Sequence, residues 1–319
     1  MNQIFTELDA DVYGLGTFAY GISEYWNHAY QLIYNLASKY NSVDVCFEDD
    51  YTKINKLNGV IKNKEFLKLA KMYHYYQSYP LAAYVNNRLY DSAEFLNFIE
   101  KITQLNSYGK RIRFFGIAPI TQQPSNNNNV NTNYTIAYAA SLSNDEVEFD
   151  IKKFYDHHPE FIKDNSAYKK YVINNFYNSQ NKEMFMYNFI SMIKKNRKNK
   201  IVFLSHNDTV MMNQKMMKTA GTDMSNMKYL SIGLGAYSGE IRIDGDSSKY
   251  YKKPKVKSFR DKKFIGGSNK EIKVFNSDQL KNKKCFVHTK SNKDEYHDVS
   301  GLDYLIYLPN ATATSLLKR

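Results

Sequence analysis

A histidine, an amide and a carboxylate stand in succession at His206-Asn207-Asp208, directly after the apolar run IVFLS. An imidazole takes up or releases a proton near neutral pH, and a carboxylate or amide beside it can orient the ring or a ligand. A second polar cluster, Glu48-Asp49-Asp50, follows the run VDVCF in the same way. His206 with Glu48 is therefore the nucleus of a candidate acid–base pair, with Asn207 and Asp208 as ligand-orienting groups. Other reactive types carry less. His157 and His158 are adjacent, and neighbours on an extended chain point in opposite directions, so they do not make a metal site. His74 sits among tyrosines and reads as a packing residue. Cys46 lies inside an apolar run as a small buried hydrophobe. With Cys285 as its only companion it makes neither a disulfide framework nor a metal site. No residue pattern calls for a cofactor.

These groups need a scaffold, and the apolar periodicity supplies one. Asp11–Thr17 reads as a strand ending in a glycine-containing turn. In Glu24–Tyr40, residues Tyr25, Ala29, Leu32, Ile33 and Leu36 recur at helical spacing. Val43–Phe47 is a second buried strand, and residues 54–77 are a tyrosine-rich helix. Ser92–Leu105 is an amphipathic helix, followed by a third strand at Arg111–Ile117. The pattern is again helical over residues 160–197. Further strands fall at Ile201–Ser205, Lys228–Leu234 and Leu302–Leu308, with a methionine-rich helix after the first of these. Strands alternating with helices of this length imply an α/β fold, a mainly parallel sheet flanked by helices. In such sheets functional groups collect beyond the carboxyl ends of the strands. That rule selects Gly16–Gly21, Glu48–Asp50, Gly116–Pro119 and His206–Thr209. Residues 122–133 (QQPSNNNNVNTN) read as a polar surface loop within a single domain over 1–319.

With 319 residues, 43% hydrophobic and 24% charged, the chain can bury an ordinary core, which excludes wholesale disorder. Its 28 tyrosines, with abundant Asn, Lys and Ile, match AT-rich codon usage, as in a large DNA virus, a protist or a low-GC bacterium. The net charge of +12 concentrates partly in Lys249–Lys263, with smaller clusters at Lys194–Lys200 and Lys281–Lys284. That distribution keeps a nucleic-acid or other polyanion partner in view, although lysine-rich loops are usually solvated and no nucleic-acid motif accompanies them. The amino terminus shows no signal-peptide pattern, and no window is long and apolar enough to span a bilayer. The expected setting is cytoplasmic or inside a viral particle.

The four strand ends are also where the sequence resembles the erythromycin esterase family. That family opens with a strand, Gly-Glu-x-x-His-Gly and a helix. The matching stretch is Gly16-Thr17-Phe18-Ala19-Tyr20-Gly21, with Glu24 beyond, so Thr17 replaces the family glutamate and Tyr20 its histidine. Glu48 matches the acidic end of the second strand. The helix from Ser92-Ala93-Glu94 to Asn106 matches the one before the third strand, and Ala118 stands where the family has an aspartate. Asn181-Lys182 replace an Arg-Asp pair, while Asn188 is retained. KIVFLSHND resembles the strand ending Ala-His-Asn-x-His, with Thr209 in place of its second histidine. YLSIGLGAYSG and Leu302–Leu308 resemble the closing pattern.

The resemblance implies an erythromycin esterase-like fold over nearly the whole chain, and a hydrolase that attacks an ester or lactone carbonyl with water activated by histidine. Tyrosine at position 20, with an ordinary pKa near 10, is a poor base. The expectation is therefore a degenerate member, lacking the hydrolase activity and kept as a binding or structural component, with protein partners in an assembly such as a viral particle. The alternative is an active carboxylic-ester hydrolase with a rearranged centre using His206, Glu48 and Tyr20. Asn207, Asp208, Glu94 and Glu24 would then contact the ligand or the rim of its pocket. A third reading is a polyanion binder acting through Lys249–Lys263.

Overall fold

The computed structural model describes residues 9–19, 21–62, 64, 92–118, 186–187, 189–191, 193–194, 197–211, 227–242, 256–261, 263–264, 270–288 and 294–315. The first half contributes β1 (Val12–Thr17), α1 (Glu24–Tyr40), β2 (Ser42–Asp50), α2 (Tyr51–Lys62), α3 (Ala93–Ser107) and β3 (Arg111–Ala118). The second half contributes β4 (Lys200–His206), β5 (Tyr229–Ala236), β6 (Ser238–Arg242), β7 (Val256–Arg260), β8 (Lys273–Asn276), β9 (Lys284–His288), β10 (Asp294–Asp298) and β11 (Tyr304–Leu308).

Seven strands form one sheet in the order β3-β2-β4-β1-β5-β11-β8. Every neighbouring pair is parallel except β8 with β11. A parallel sheet covered on both faces needs apolar side chains on both, which explains the unbroken apolar runs. In β1, Tyr13 and Leu15 enter one buried cluster while Val12 enters the other. In β4, Val202 and Leu204 join the first cluster, and Ile201 and Phe203 the second.

The helices follow from the same pattern. α1 buries Tyr25, Trp26, Ala29, Leu32, Ile33 and Leu36 and ends where Asn41 adopts a left-handed conformation at φ 65°, a conformation asparagine tolerates. The Ser92 hydroxyl caps α3 by accepting from the Phe95 amide at 3.1 Å. Trp26 then packs against Phe95 and Phe98, with ring centroids 4.7 and 5.1 Å away. Parallel pairing brings the carboxyl ends of β1 to β5 and of β11 to one edge of the sheet.

Five strands lie outside the sequence expectations. β6 pairs with β7 and β9 with β10, each in a separate two-stranded antiparallel sheet, and β8 extends the main sheet. They are short, and β7 and β10 (DEYHD) lack an apolar run because both are largely exposed. The helical pattern over 160–197 is present at the described residues 186–187, 189–191 and 193–194, and residues 207–211 are helical after β4. The expected loop at 122–133, most of the 160–197 stretch and His74, His157 and His158 lie outside the described residues.

Candidate functional site

At the end of β1 the chain is filled and tied down. Thr17, Phe18 and Ala19 are all fully buried. The Thr17 hydroxyl donates to the Ala19 carbonyl at 2.7 Å. Gly21 follows with φ 95°, where any side chain would also press on the Arg242 carbonyl, so the turn requires glycine. The Gly21 carbonyl accepts from the Arg242 and Thr314 amides, and the Ser23 amide donates to Thr312. Tyr20, inside this turn, lies outside the described residues.

At the ends of β2 and β4 the expected polar groups come together, but with partners the sequence did not announce. The Ser205 hydroxyl donates to the Glu48 carboxylate. The buried Asn207 amide donates to the Leu234 carbonyl at 2.8 Å and accepts from the Leu234 amide at 3.3 Å, stitching β4 to β5. A Cβ at Gly16 would lie 2.5 Å from the Asn207 side-chain oxygen, so glycine in β1 makes room for this stitch. The carboxylate facing His206 Nδ1, at 3.5 Å, is that of Asp208.

The same Asp208 oxygen lies 2.6 Å from Nδ1 of His297, on β10, and Nε2 of His297 lies 2.9 Å from Glu295. A chain Glu295–His297–Asp208–His206 thus runs across the carboxyl end of β4. Burial pushes the Asp208 carboxyl up, but hydrogen bonding and charge from His206 and His297 outweigh it and hold the carboxyl below its ordinary value. For His297 partial burial acts downward, and Glu295 with Asp208 outweighs it, raising the imidazole above its ordinary value.

The β9–β10 hairpin delivers these residues. Directly opposed residues on an antiparallel pair share a face, so His288 with Asp294 and Phe286 with Tyr296 lie on one side, and Cys285 with His297 on the other. On the first side, buried His288 places Nδ1 2.9 Å from Asp294, whose second oxygen lies 2.5 Å from Lys257 of β7. The His288 amide donates to the Phe18 carbonyl at 2.9 Å. The Phe286 amide donates to buried Asp261 at 3.0 Å, fixing the hairpin beside the β1 turn. His297, Glu295, His288 and Asp294 escaped the sequence reading. The one available signal was the alternation in DEYHD, which places charged groups on both faces of a single strand and an imidazole on one of them.

Glu24 and Glu94 occupy the first turns of α1 and α3, and both reach the carboxy-terminal segment. Glu24 accepts from the Thr312 amide at 3.0 and 3.1 Å. Glu94 accepts from the Ser315 amide at 3.1 Å and from its hydroxyl at 2.7 Å. Several described members of the basic clusters are also engaged within the chain. Lys194, Arg197 and Lys200 pair with Asp11, Asp44 and Asp9. Within Lys249–Lys263, Lys257 pairs with Asp294. In the same stretch Arg260 contacts the Tyr237 hydroxyl, and Lys263 lies 4.6 Å over the Tyr296 ring. Among the described residues no group of His, Cys, Asp and Glu is arranged to hold a metal ion. Among the same residues, no helix is long and apolar enough to cross a membrane.

No protein-family model matches the sequence, and no curated protein matches it. Solved structures do match. One described as a succinoglycan biosynthesis protein superposes with a TM-score of 0.63 at 13% identity, over 97% of this chain and 90% of its own. A Bacillus cereus protein gives 0.59 at 11% identity, over 97% and 90%. An erythromycin esterase variant in its open conformation gives 0.58 at 11% identity, over 97% and 93%. At such identities the likeness concerns architecture alone, and the architecture is an erythromycin esterase-like fold.

Proposed function

We propose that this chain carries the erythromycin esterase-like fold without an ester-hydrolysing centre and serves as a binding or structural component. The observation that carries this reading is the end of β1. Where the resemblance calls for a glutamate, Thr17 is fully buried and its hydroxyl is turned back onto Ala19. A hydroxyl in that state neither carries a carboxylate's charge nor accepts a proton from water. The histidine position of the same motif is Tyr20. The Asn207 amide, expected to orient a ligand, is occupied on both sides by Leu234. A component of a viral particle is one such role, and the AT-rich codon bias, shared by protists and low-GC bacteria, does not single it out.

A second reading, a hydrolase with its centre moved to the end of β4, draws support from the His206–Asp208 pair and from the partial exposure of Asp208. One experiment separates the two. The purified chain is offered a panel of small esters and macrolide lactones over a broad pH range, with His206→Ala and Glu48→Gln alongside. The expected result is no turnover above buffer for any of the three proteins, with circular dichroism showing each folded. Turnover by the parent that both substitutions abolish would overturn the proposal and establish the moved centre.

A further inference from the structure

The imidazole of His297 has a carboxylate on each nitrogen, Asp208 at 2.6 Å and Glu295 at 2.9 Å. Neutral imidazole owns one N–H, whereas imidazolium owns two, and an ionised carboxylate can only accept. Both contacts are therefore satisfied together only when the ring is protonated. Asp208 is not a private partner, because its same oxygen also faces His206 Nδ1 at 3.5 Å. When the His297 ring loses its proton, one carboxylate must give up its bond, and His206 offers Asp208 an alternative.

This contact spans separate elements. His297 belongs to β10, a largely exposed strand, while Asp208 lies just beyond β4. The rest of β10 is held by its ladder to β9, by the Asp294–Lys257 pair to β7, and by Tyr296 against Phe286 and under Lys263. The groups facing β10 are thus Asp208 and His206 from the end of β4, Lys257 from β7, and Lys263. From β9 they are His288, Lys284 and the buried Cys285.

We infer that β10 is a proton-operated latch: protonated His297 clamps it to Asp208 at the end of β4, and loss of that proton weakens the clamp, loosens the strand and lets Asp208 turn toward His206. Because the folded protein holds the His297 proton more tightly than an ordinary histidine does, the clamp is fully set below about pH 6.5. It weakens as the pH rises through the folded value. Buried His28 has its pKa lowered to about 4 by burial, so it stays neutral throughout and does not confuse the window.

The test is a histidine-resolved NMR titration of the full chain, with amide hydrogen exchange of β10 recorded at each pH. His297 is expected to titrate above 6.5. Protection factors of the β10 amides should fall as the pH passes that value, by up to about tenfold per pH unit, while those of β1 stay level. In Asp208→Asn, His297 should return toward its ordinary value and the pH dependence of β10 should disappear. The titration of the parent stands whether or not that variant folds. An ordinary or lowered value for His297, or β10 protection that is flat through the window, would overturn the latch.

Discussion

The two edges of the central sheet use charge in opposite ways. At the amino edge, Asp44 is fully buried on β2, paired at 2.9 Å with Arg197 and bonded at 3.0 Å to Asn199. Burial pushes its carboxyl up, against the pull of Arg197. Asp9 and Asp11 add pairs with Lys200 and Lys194. Each carboxylate there faces a Lys or Arg. At the carboxyl edge the partners are histidines, and His206 and His297 share one Asp208 oxygen. A charge cluster built on lysine and arginine is a fixed brace, whereas one built on histidine is an adjustable contact. Location in the fold thus separates structural charge from charge that can change.

The largest effect should come from breaking the brace. Asp44→Ala removes the buried carboxylate that faces Arg197, whose side chain is only 14% exposed, and accepts from Asn199. Removing one partner of a buried pair costs about 3–5 kcal/mol. Urea denaturation should therefore show a midpoint shift of that size, with the His297 titration unchanged because the sites are distant. A loss below about 1 kcal/mol, the range of exposed pairs, would erase the distinction between the edges.

A smaller loss is expected at the carboxyl edge from Asn207→Ala. The substitution strips both Leu234 backbone groups of a buried partner, at a cost of about 1–3 kcal/mol. If denaturation shows no change while some ligand contact is lost, Asn207 is a binding residue and the stitch to β5 is incidental.

Much of this contrast follows from what a sequence can display. The buried strands β1, β2, β3, β4 and β5, and helices α1 and α3, are legible because burial on two faces or along one stripe writes itself as apolar runs and helical spacing. The carboxyl-edge rule then picks out Thr17, Glu48 and His206. The hairpin of β9 and β10 was not legible. Its residues are held by side-chain pairs to elements far away in sequence, such as His297 to Asp208 and Phe286 to Asp261. Pairings of that kind leave no periodic trace. Asp208, two residues beyond His206, faces its Nδ1 at 3.5 Å, a pairing of neighbours that the sequence order alone does not reveal.

The smallest effect should come from Glu94, and it sharpens the contrast. Glu94 lies in the first turn of α3, where its charge meets the favourable end of the helix dipole, and it accepts two kinds of bond from Ser315. Glu94→Gln keeps an acceptor oxygen and loses the charge. Global stability should fall by less than about 1 kcal/mol. The local consequence is more telling, since the Ser315 amide should exchange faster with solvent while the amides of α1 do not change. Such localised loosening would identify Glu94 as an anchor for the carboxy-terminal segment. Unchanged exchange at Ser315, together with weaker capture of any ester or lactone in the panel, would instead return Glu94 to the rim of a binding site.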